Sequence, residues 1–320
     1  MKNVKYSIII PNLNSPRIDE VLHALRKQRG VEGEFEILVI GRDSHGMVPP
    51  HVAEDDRVHF HESERNLNPA EARNIGINSA AGDVLFFIDS DCVARPDWMA
   101  NLLKTYREGH PVIGGSMEFD GRDGFWTLCD NIAHFNNHHY STKRGVFDTV
   151  PLLTANLCVR KDIAVRSGKF NEQFARGQDF DFCMRIRELD FELFFEPDAV
   201  VRHRPTRNTF QTMIGHSAAW APFSIRIREK YADILRTPWY LTRPWPLLLL
   251  SPLISAAVLF RVYVKHPPLL KYLYTAPFIF TDRMAWCYYV FKELRKGHLD
   301  DIFETDQSEK VRRHSEKLMM

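Results

Sequence analysis

The chain has 320 residues, 44% of them apolar and 26% charged, with a formal net charge of +1. These values describe a globular protein with a large core and one or two modules, and they exclude a disordered chain. Near-neutral charge also argues against a nucleic-acid partner held by bulk electrostatics, so no nucleic acid is expected.

The N-terminal Met1-Lys2-Asn3-Val4-Lys5 leads straight into a strand-like segment, and no secretory signal is read ahead of it. Tyr6 to Ile10 reads as a buried strand closed by a turn at Pro11. Arg17 to Arg29 carries Ile18, Val21, Leu22 and Leu25 at helical spacing. Phe35 to Ile40 is a second strand ended by Gly41, and Val58 to Phe60 a short third. Pro69 to Ala80 reads as a helix and Val84 to Ile88 as a fourth strand. Alternating short apolar strands and helices imply a mostly parallel sheet covered on both faces. Ligands of such sheets gather outside the C-terminal strand ends, where Pro11, Gly41 and Asp89 lie.

Further on, Val112 to Met117 and Leu152 to Arg160 are strand-like. Between them, Gly121 to Asp148 is polar, rich in His and Asn, and reads as a loop facing an acceptor. Phe180 to Leu189 is a predicted helix and Phe191 to Phe195 a predicted strand. From Trp239 the composition turns apolar, with one block over Trp245 to Val264 and a second over Leu269 to Phe291. The first is long enough to span a bilayer. Pro246, Pro252, Arg261, Asp282 and Arg283 interrupt the two blocks, and Trp, Tyr and Arg frame them. A monotopic or re-entrant region docked on a membrane is the favoured reading; a pair of spanning helices and a soluble helical core are the alternatives. The tail after Gly297 is charged and reads as mobile or a surface helix. Five cysteines, Cys92, Cys129, Cys158, Cys183 and Cys287, lie far apart with no C-x-x-C pair. No disulfide framework or zinc site follows, which fits a reducing cytoplasm.

The chemistry concentrates at Asp89-Ser90-Asp91, directly after the apolar run Val84 to Ile88. Alternate side chains of an extended segment share one side, so both carboxylates can converge on one divalent cation held against a phosphate. The bland reading is a strand-end turn with solvated Asp residues.

Four segments in series carry a resemblance: Ile8 to Asn14, Asn66 to Gly76, Gly82 to Asp91, and Leu153 to Arg160 followed by Gly177-Gln178-Asp179-Phe180-Asp181-Phe182. They resemble the inverting family 2 glycosyltransferases of GT-A fold over residues 5 to 220. The resemblance implies a GT-A type, Rossmann-like α/β domain with a mixed, mostly parallel sheet over residues 1–235. The apolar membrane-associating helical region then covers 236–297 and the charged tail 298–320. The implied activity is sugar transfer from a nucleotide-sugar donor to a hydroxyl of a glycan or lipid-linked acceptor, with Mg2+ or Mn2+. A polyprenyl-phosphate sugar donor, or a catalytically silent glycan-binding or scaffolding relative, stands as the alternative. The enzyme would work in glycan or cell-envelope synthesis, peripheral or monotopic on the cytoplasmic side of the cell membrane.

By the same resemblance, Asp89 and Asp91 match the metal and diphosphate-binding pair, and His203 matches a further metal ligand. Asp179 matches the catalytic base. Pro11, Asn12 and Arg73 match the donor side, Asn156 and Trp220 match the acceptor side, and in place of the family's base-reading acid either Asp43 stands as a shifted substitute or Arg42 contacts the donor instead. Against these stand plainer readings: Asp179 as a helix-start carboxylate, Arg73 and His203 as solvated surface groups, Trp220 as helix packing. A zinc site at His134, His138 and His139 is disfavoured for want of a third ligand at suitable spacing. Two departures stand out: Gly41-Arg42 replaces the acidic end of the second strand, and Gln178 replaces the Glu before the catalytic Asp.

Overall fold

The computed structural model describes residues 4–296. In chain order the elements are β1 (Val4–Leu13), α1 (Ile18–Arg26), β2 (Glu34–Arg42), α2 (Val48–Glu54), β3 (Val58–Glu62), α3 (Pro69–Ser79), β4 (Val84–Ile88), β5 (Cys92–Ala94), α4 (Trp98–Arg107) and β6 (Val112–Glu118). They continue with α5 (Phe125–Phe135), β7 (Gly145–Val146), β8 (Asn156–Arg160), α6 (Lys161–Arg166), α7 (Gln178–Glu188), β9 (Phe194–His203), α8 (Phe210–Lys230), α9 (Ala232–Leu235), α10 (Pro244–Lys265) and α11 (Ala276–Arg295). The chain divides into two compact units. One takes the residues up to Glu118, Thr142–Phe174 and Gln178–Arg204; the other takes Phe119–Ser141, Ala175–Gly177 and the residues from Pro205 on. The expected charged tail lies outside the described residues.

The first unit is built on a nine-stranded sheet in the order β3-β2-β1-β4-β8-β6-β9-β5, with β7 also on β9. Strands β1, β2, β3, β4, β6 and β9 share one direction, and β5, β7 and β8 oppose it. The sheet is therefore mixed and mostly parallel, as the sequence led one to expect. Ile8, Ile9 and Ile10 of β1 and Val84 to Ile88 of β4 are buried throughout, as strands covered on both faces must be. Strand order reverses at β1 and β4, and the crevice outside their C-terminal ends is where such sheets take ligands.

Several local expectations need correction. No turn closes β1 at Pro11: the strand continues to Leu13, with Pro11 opposite Ile40. Pairing with β4 stops at Ile9, so Pro11 sits on a local edge, where a missing N–H is tolerated. The Gly121 to Asp148 segment is no mere loop, because α5 occupies its centre and buries Leu128, Cys129, Ile132 and Ala133. Polar residues buried on the same helix (Asp130 and Asn131) masked its periodicity. Strand β8 starts only at Asn156, after a turn in which the Asn156 N–H donates to Leu153. Strand β9 starts later than expected, at Phe194, and runs to His203.

Helix α3 illustrates how sequence sets position. Asn68 caps it, accepting from the Glu71 N–H at 2.9 Å, while the Glu71 carboxylate accepts from the Asn68 N–H at 2.7 Å. Pro69 occupies the first turn, where its lost donor matters least. The cap fixes the phase that turns Arg73 inward, 5% exposed. At Gly76 the helix nearly touches β1: a Cβ there would lie 2.4 Å from Ile9 Cγ2. Beneath the helix, the buried Glu36 carboxylate accepts from Ser7 Oγ at 2.6 Å and from the Ala81 N–H at 2.7 Å, so this strand-borne charge is hydrogen-bonded.

In the second unit, α8 packs on α11, α11 on α10 and on α5, and α5 on α8. Helix α10 is long and apolar enough to cross a membrane, by length and composition. Its pattern is inside-out. Toward its neighbours it turns Leu247, Ser251, Ser255 and Val262; outward it turns Leu249 (76% exposed), Leu253 (69%) and Phe260 (71%). Small residues four apart on the packed face let helices approach closely, as they do in lipid. A core helix of a soluble protein would hide the leucines instead.

Gly76→Ala tests the α3–β1 contact. Helix propensity favours Ala by about 1 kcal/mol, but overpacking against Ile9 costs about 1–3 kcal/mol. Denaturant unfolding is expected to show a net loss of about 1 kcal/mol, relieved when Ile9→Ala is combined with it. A stabilised single variant would contradict the contact.

Candidate active site

Two loops meet at the sheet crevice. Asp89 and Asp91 follow β4, and Ser15, just past β1, donates through Oγ to the Ser90 carbonyl at 2.9 Å. Arg73 reaches this loop from α3. Its Nη2 donates to Asp89 Oδ1 at 2.7 Å and its Nη1 to Gln178 Oε1 at 3.2 Å, while its Nε is buried without a hydrogen-bond partner. Gln178 is fixed in turn by its own amide, which donates to the Phe174 carbonyl at 2.7 Å. One guanidinium thus joins the acidic loop to the start of α7, whose second residue is Asp179. The solvated reading of Arg73 does not hold.

Asp179 is half-buried at the N-terminus of α7, and its Oδ1 accepts from the Phe180 N–H at 2.8 Å. Burial raises its pKa above the usual carboxylate value; Arg73 and the Phe180 N–H oppose the rise, and the Asp89 charge adds to it. Asp179 therefore lies within the electrostatic reach of both Arg73 and Asp89. Asp89 and Asp179 thus belong to one neighbourhood, and Asp91 lies two residues beyond Asp89 in the chain.

His203 arrives by strand register. Antiparallel pairing of β5 and β9 sets Cys92 opposite His203, which brings the imidazole to Asp91: Nε2 lies 3.8 Å from Oδ2. The Asp91 carbonyl also accepts from the Arg204 N–H at 2.9 Å. Ligand atoms of Asp91, Cys92 and His203 all lie within 4.8 Å of one another. Carboxylate oxygen and imidazole nitrogen suit a divalent cation, and two ligands of one ion at about 2.0–2.2 Å can stand about 3–4 Å apart. The residues fit such an ion. Burial and the two neighbouring Asp charges hold the Cys92 thiol far above its ordinary pKa, which leaves the oxygen and nitrogen donors as the fitting set.

The remaining expected residues divide. Asn12 is buried and ties the strand ends together, donating to the Arg42 carbonyl at 2.7 Å and accepting from the Ser15 N–H at 3.2 Å. Pro11 lies one residue earlier on β1. Asp43 caps the segment into α2, accepting the Val48 N–H at 2.6 Å through Oδ2; its Oδ1 is buried with no partner. The Gly41 departure has a steric cause: with φ at +133°, any Cβ would stand 2.0 Å from the Asn12 carbonyl oxygen. No acid fits there in this register. Arg42 donates to Asn66 Oδ1 at 3.3 Å.

Asn156 is placed differently from its expected acceptor side. It is 1% exposed; its Nδ2 donates to the Ser116 and Ala199 carbonyls at 2.8 Å each, and its Oδ1 accepts from Trp98 Nε1 at 2.7 Å. The amide satisfies carbonyls freed where β9 bulges against β6, and no donor of its side chain is left for a ligand. Trp220, on α8 in the second unit, packs beside Ala221, Ile225, Leu247 and Trp286, and Gly177 lies against its ring.

The histidines of the middle segment do not gather. His139 and His266 share Ser141, whereas His134 stands with Asp130 and His216 on the second unit. Asp130 is fully buried, accepting from Arg207 Nε at 2.7 Å and His216 Nδ1 at 2.8 Å. Although burial opposes it, Arg207 and His216 hold the Asp130 pKa well below the carboxylate range. Sequence reasoning missed this cluster; its members are 86 residues apart at the widest of these bonds, and only Asp130 and His134, four apart on α5, are locally spaced.

Comparison with known proteins agrees with this geometry. Residues 7–165 match the model of glycosyl transferase family 2. Glycosyltransferase AglE of Haloferax volcanii is 28% identical over 242 residues, covering 71% of this chain and 77% of that protein. The glucosyl-dolichyl phosphate glucuronosyltransferase of the same organism is 22% identical over 71% of this chain and 78% of its own length. Among solved structures, the mannosyltransferase PcManGT from Pyrobaculum calidifontis, in complex with GDP-Man and Mn2+, shares the fold with a TM-score of 0.60. It is 18% identical, covering 93% of this chain and 87% of that one. Sheet order, the acidic loop beyond β4 and the sequence match converge: the chain belongs to glycosyl transferase family 2 and is a glycosyltransferase of GT-A fold.

Proposed function

We propose that this enzyme is an inverting, cation-dependent transferase that moves a sugar from a nucleotide-sugar donor to a hydroxyl of a lipid-linked or glycan acceptor in cell-envelope glycan synthesis. The observation that carries the reading is the Arg73 bridge, which sets the Asp89 loop beside the start of the helix bearing Asp179. The lipid-linked choice draws support from the dolichyl phosphate substrate named for one relative and from the outward apolar face of α10.

In this reading Asp179 accepts the acceptor hydroxyl proton as the new bond to the anomeric carbon forms. The bond from that carbon to the donor diphosphate breaks at the same time, and attack opposite the leaving group inverts the centre. A hydroxyl is a poor nucleophile at neutral pH, so a carboxylate with a raised pKa is a suitable base. Arg73 faces the charge that builds on the leaving diphosphate. Asp91 and His203, with Asp89, would hold Mg2+ or Mn2+, which supplies the same charge stabilisation when bound. Pro11, Asn12 and the unpartnered Asp43 Oδ1 form the donor side, where a buried acceptor oxygen wants an N–H of the base. Trp220 is assigned to the acceptor; Asn156 is not.

Membrane docking belongs to the same reading. Leu249, Leu253 and Phe260 face outward from α10, with Trp239 and Trp245 at its start and Arg261 and Lys265 at its end. Apolar side chains framed by tryptophan and cationic residues match the gradient from hydrocarbon to headgroup. We assign the enzyme to the cytoplasmic face, where nucleotide sugars and divalent cations are supplied, as a peripheral or monotopic protein.

Two outcomes follow. Asp179→Asn is expected to lower kcat by about a hundredfold or more while leaving the fold intact. The native state holds the Asp179 proton more tightly than the unfolded chain does, so ionisation costs native stability above the ordinary carboxylate range, and that cost disappears as pH falls below it. The Asn variant should therefore melt no lower than wild type at pH 7, with any gain lost below about pH 4; undiminished transfer would remove Asp179 from the mechanism. Separately, Leu249→Glu with Leu253→Glu should release the protein from phosphatidylglycerol–phosphatidylcholine vesicles in flotation. Full retention of the double variant would exclude α10 as the docking face.

A further inference from the structure

Among the described residues of the second unit, the buried acids Asp130, Asp282 and Glu293 each have an arginine partner, while Arg176 and Arg228 are partly buried arginines for which no ion pair is found. Asp130 takes Arg207 and His216 on its two oxygens. Asp282, also fully buried, takes Ser217 Oγ at 2.8 Å on one oxygen and Arg283 Nη2 at 2.6 Å on the other. Each carboxylate is thus matched by its own arginine, and both hydrogen-bonding sites are filled. Burial holds His216 neutral, well below its ordinary pKa, so it donates to Asp130 without adding charge. Arg176 is half-buried, and among the described residues no hydrogen-bond or ion-pair partner is found for it. Burial, and after it the charge of Arg207, lowers its pKa to about 10, with Asp130 only partly opposing them. At neutral pH the guanidinium remains charged.

The backbone presents this side chain on a fixed support. The short segment Ala175–Gly177 is seated on α8: a Cβ at Gly177 would come within 2.6 Å of Ile227 Cδ1 and 2.9 Å of Trp220 Cζ3. Arg207, just ahead of α8, is held by Asp130, which is held in turn by His216 on α8 itself. A half-buried guanidinium without a hydrogen-bond or ion-pair partner, and within the electrostatic reach of a second guanidinium, favours an anion. The same unit carries the outward leucines of α10, which suit the apolar chain of a ligand with an anionic head.

We propose that Arg176, backed by Arg207, binds the phosphate group of an isoprenoid-linked acceptor. The assignment rests on the transferase reading above and adds the group by which the acceptor is held. Arg176 stands three residues before Asp179 in the chain. Phospholipid headgroups offer the same anion, but they meet fully exposed cations at a bilayer surface; a recessed guanidinium selects a group that leaves that surface.

The test uses the full chain with farnesyl diphosphate and farnesol as probes, by calorimetric titration. Wild type should bind the diphosphate about tenfold or more tightly than the alcohol, as a charge-assisted hydrogen bond implies. Arg176→Gln should lose that margin with farnesol binding unchanged, Arg176→Lys should keep part of it, and Mn2+-linked nucleotide-sugar binding should persist in both. Equal diphosphate affinity in wild type and Arg176→Gln would overturn the site. Displacement of the probe by phosphatidylglycerol vesicles as readily as by free farnesyl diphosphate would overturn the acceptor assignment. Absence of Mn2+-linked donor binding in wild type would sink the transferase reading and leave the anion site standing, so the two failures are separable.

Discussion

The buried guanidinium of Arg73 is the constraint on which the first unit's site depends. A charge taken so far out of water must be paired and hydrogen-bonded, and Arg73 finds Asp89 on one side and Gln178 on the other. Those partners come from a strand end and a helix start 89 residues apart, counting from Asp89 to Gln178. Holding them together gives Asp179 the neighbourhood that raises its pKa. Gln178 in place of the family's Glu keeps the acceptor oxygen but not the charge, so in this protein Asp89 is the only carboxylate that touches Arg73 among the described residues.

Upstream of that contact, each requirement is local. The Asn68–Glu71 capping box sets the phase of α3, Gly76 lets the helix lie on β1, and the pairing of β5 with β9 delivers His203 to Asp91. None of these residues does chemistry. They position the ones that could, within the rigid frame of a sheet buried on both faces.

Much of this was legible in the sequence, for physical reasons. The strands β1, β2 and β4 announce themselves because a doubly covered parallel sheet demands unbroken apolar runs. The capping box and the paired acids after β4 are short-range signals, complete within a dozen residues. What the sequence hid was long-range or mixed in character. Helix α5 buries Asp130 and Asn131 among its apolar residues, so its face does not read as apolar. Asn156 sits in a motif associated with acceptor binding, yet its amide is consumed by carbonyls of a β-bulge that no pattern forecasts. Asp130 and His216 pair across 86 residues, and that Arg176 lacks an ion pair becomes visible only in the folded chain. The inside-out order of α10 likewise needed its neighbours: composition shows that the helix is apolar, but only packing shows that Ser251 and Ser255 face in while Leu249 and Leu253 face out.

The central claim is that Asp91, His203 and Asp89 form a cation-dependent donor site beside Asp179. Calorimetric titration of a panel of nucleotide sugars into the full chain, with and without Mn2+, tests it most directly when paired with Asp91→Asn. The account predicts donor binding that requires the metal in wild type and weakens at least about tenfold in the variant. Donor binding indifferent to both Mn2+ and the Asp91 substitution would contradict it.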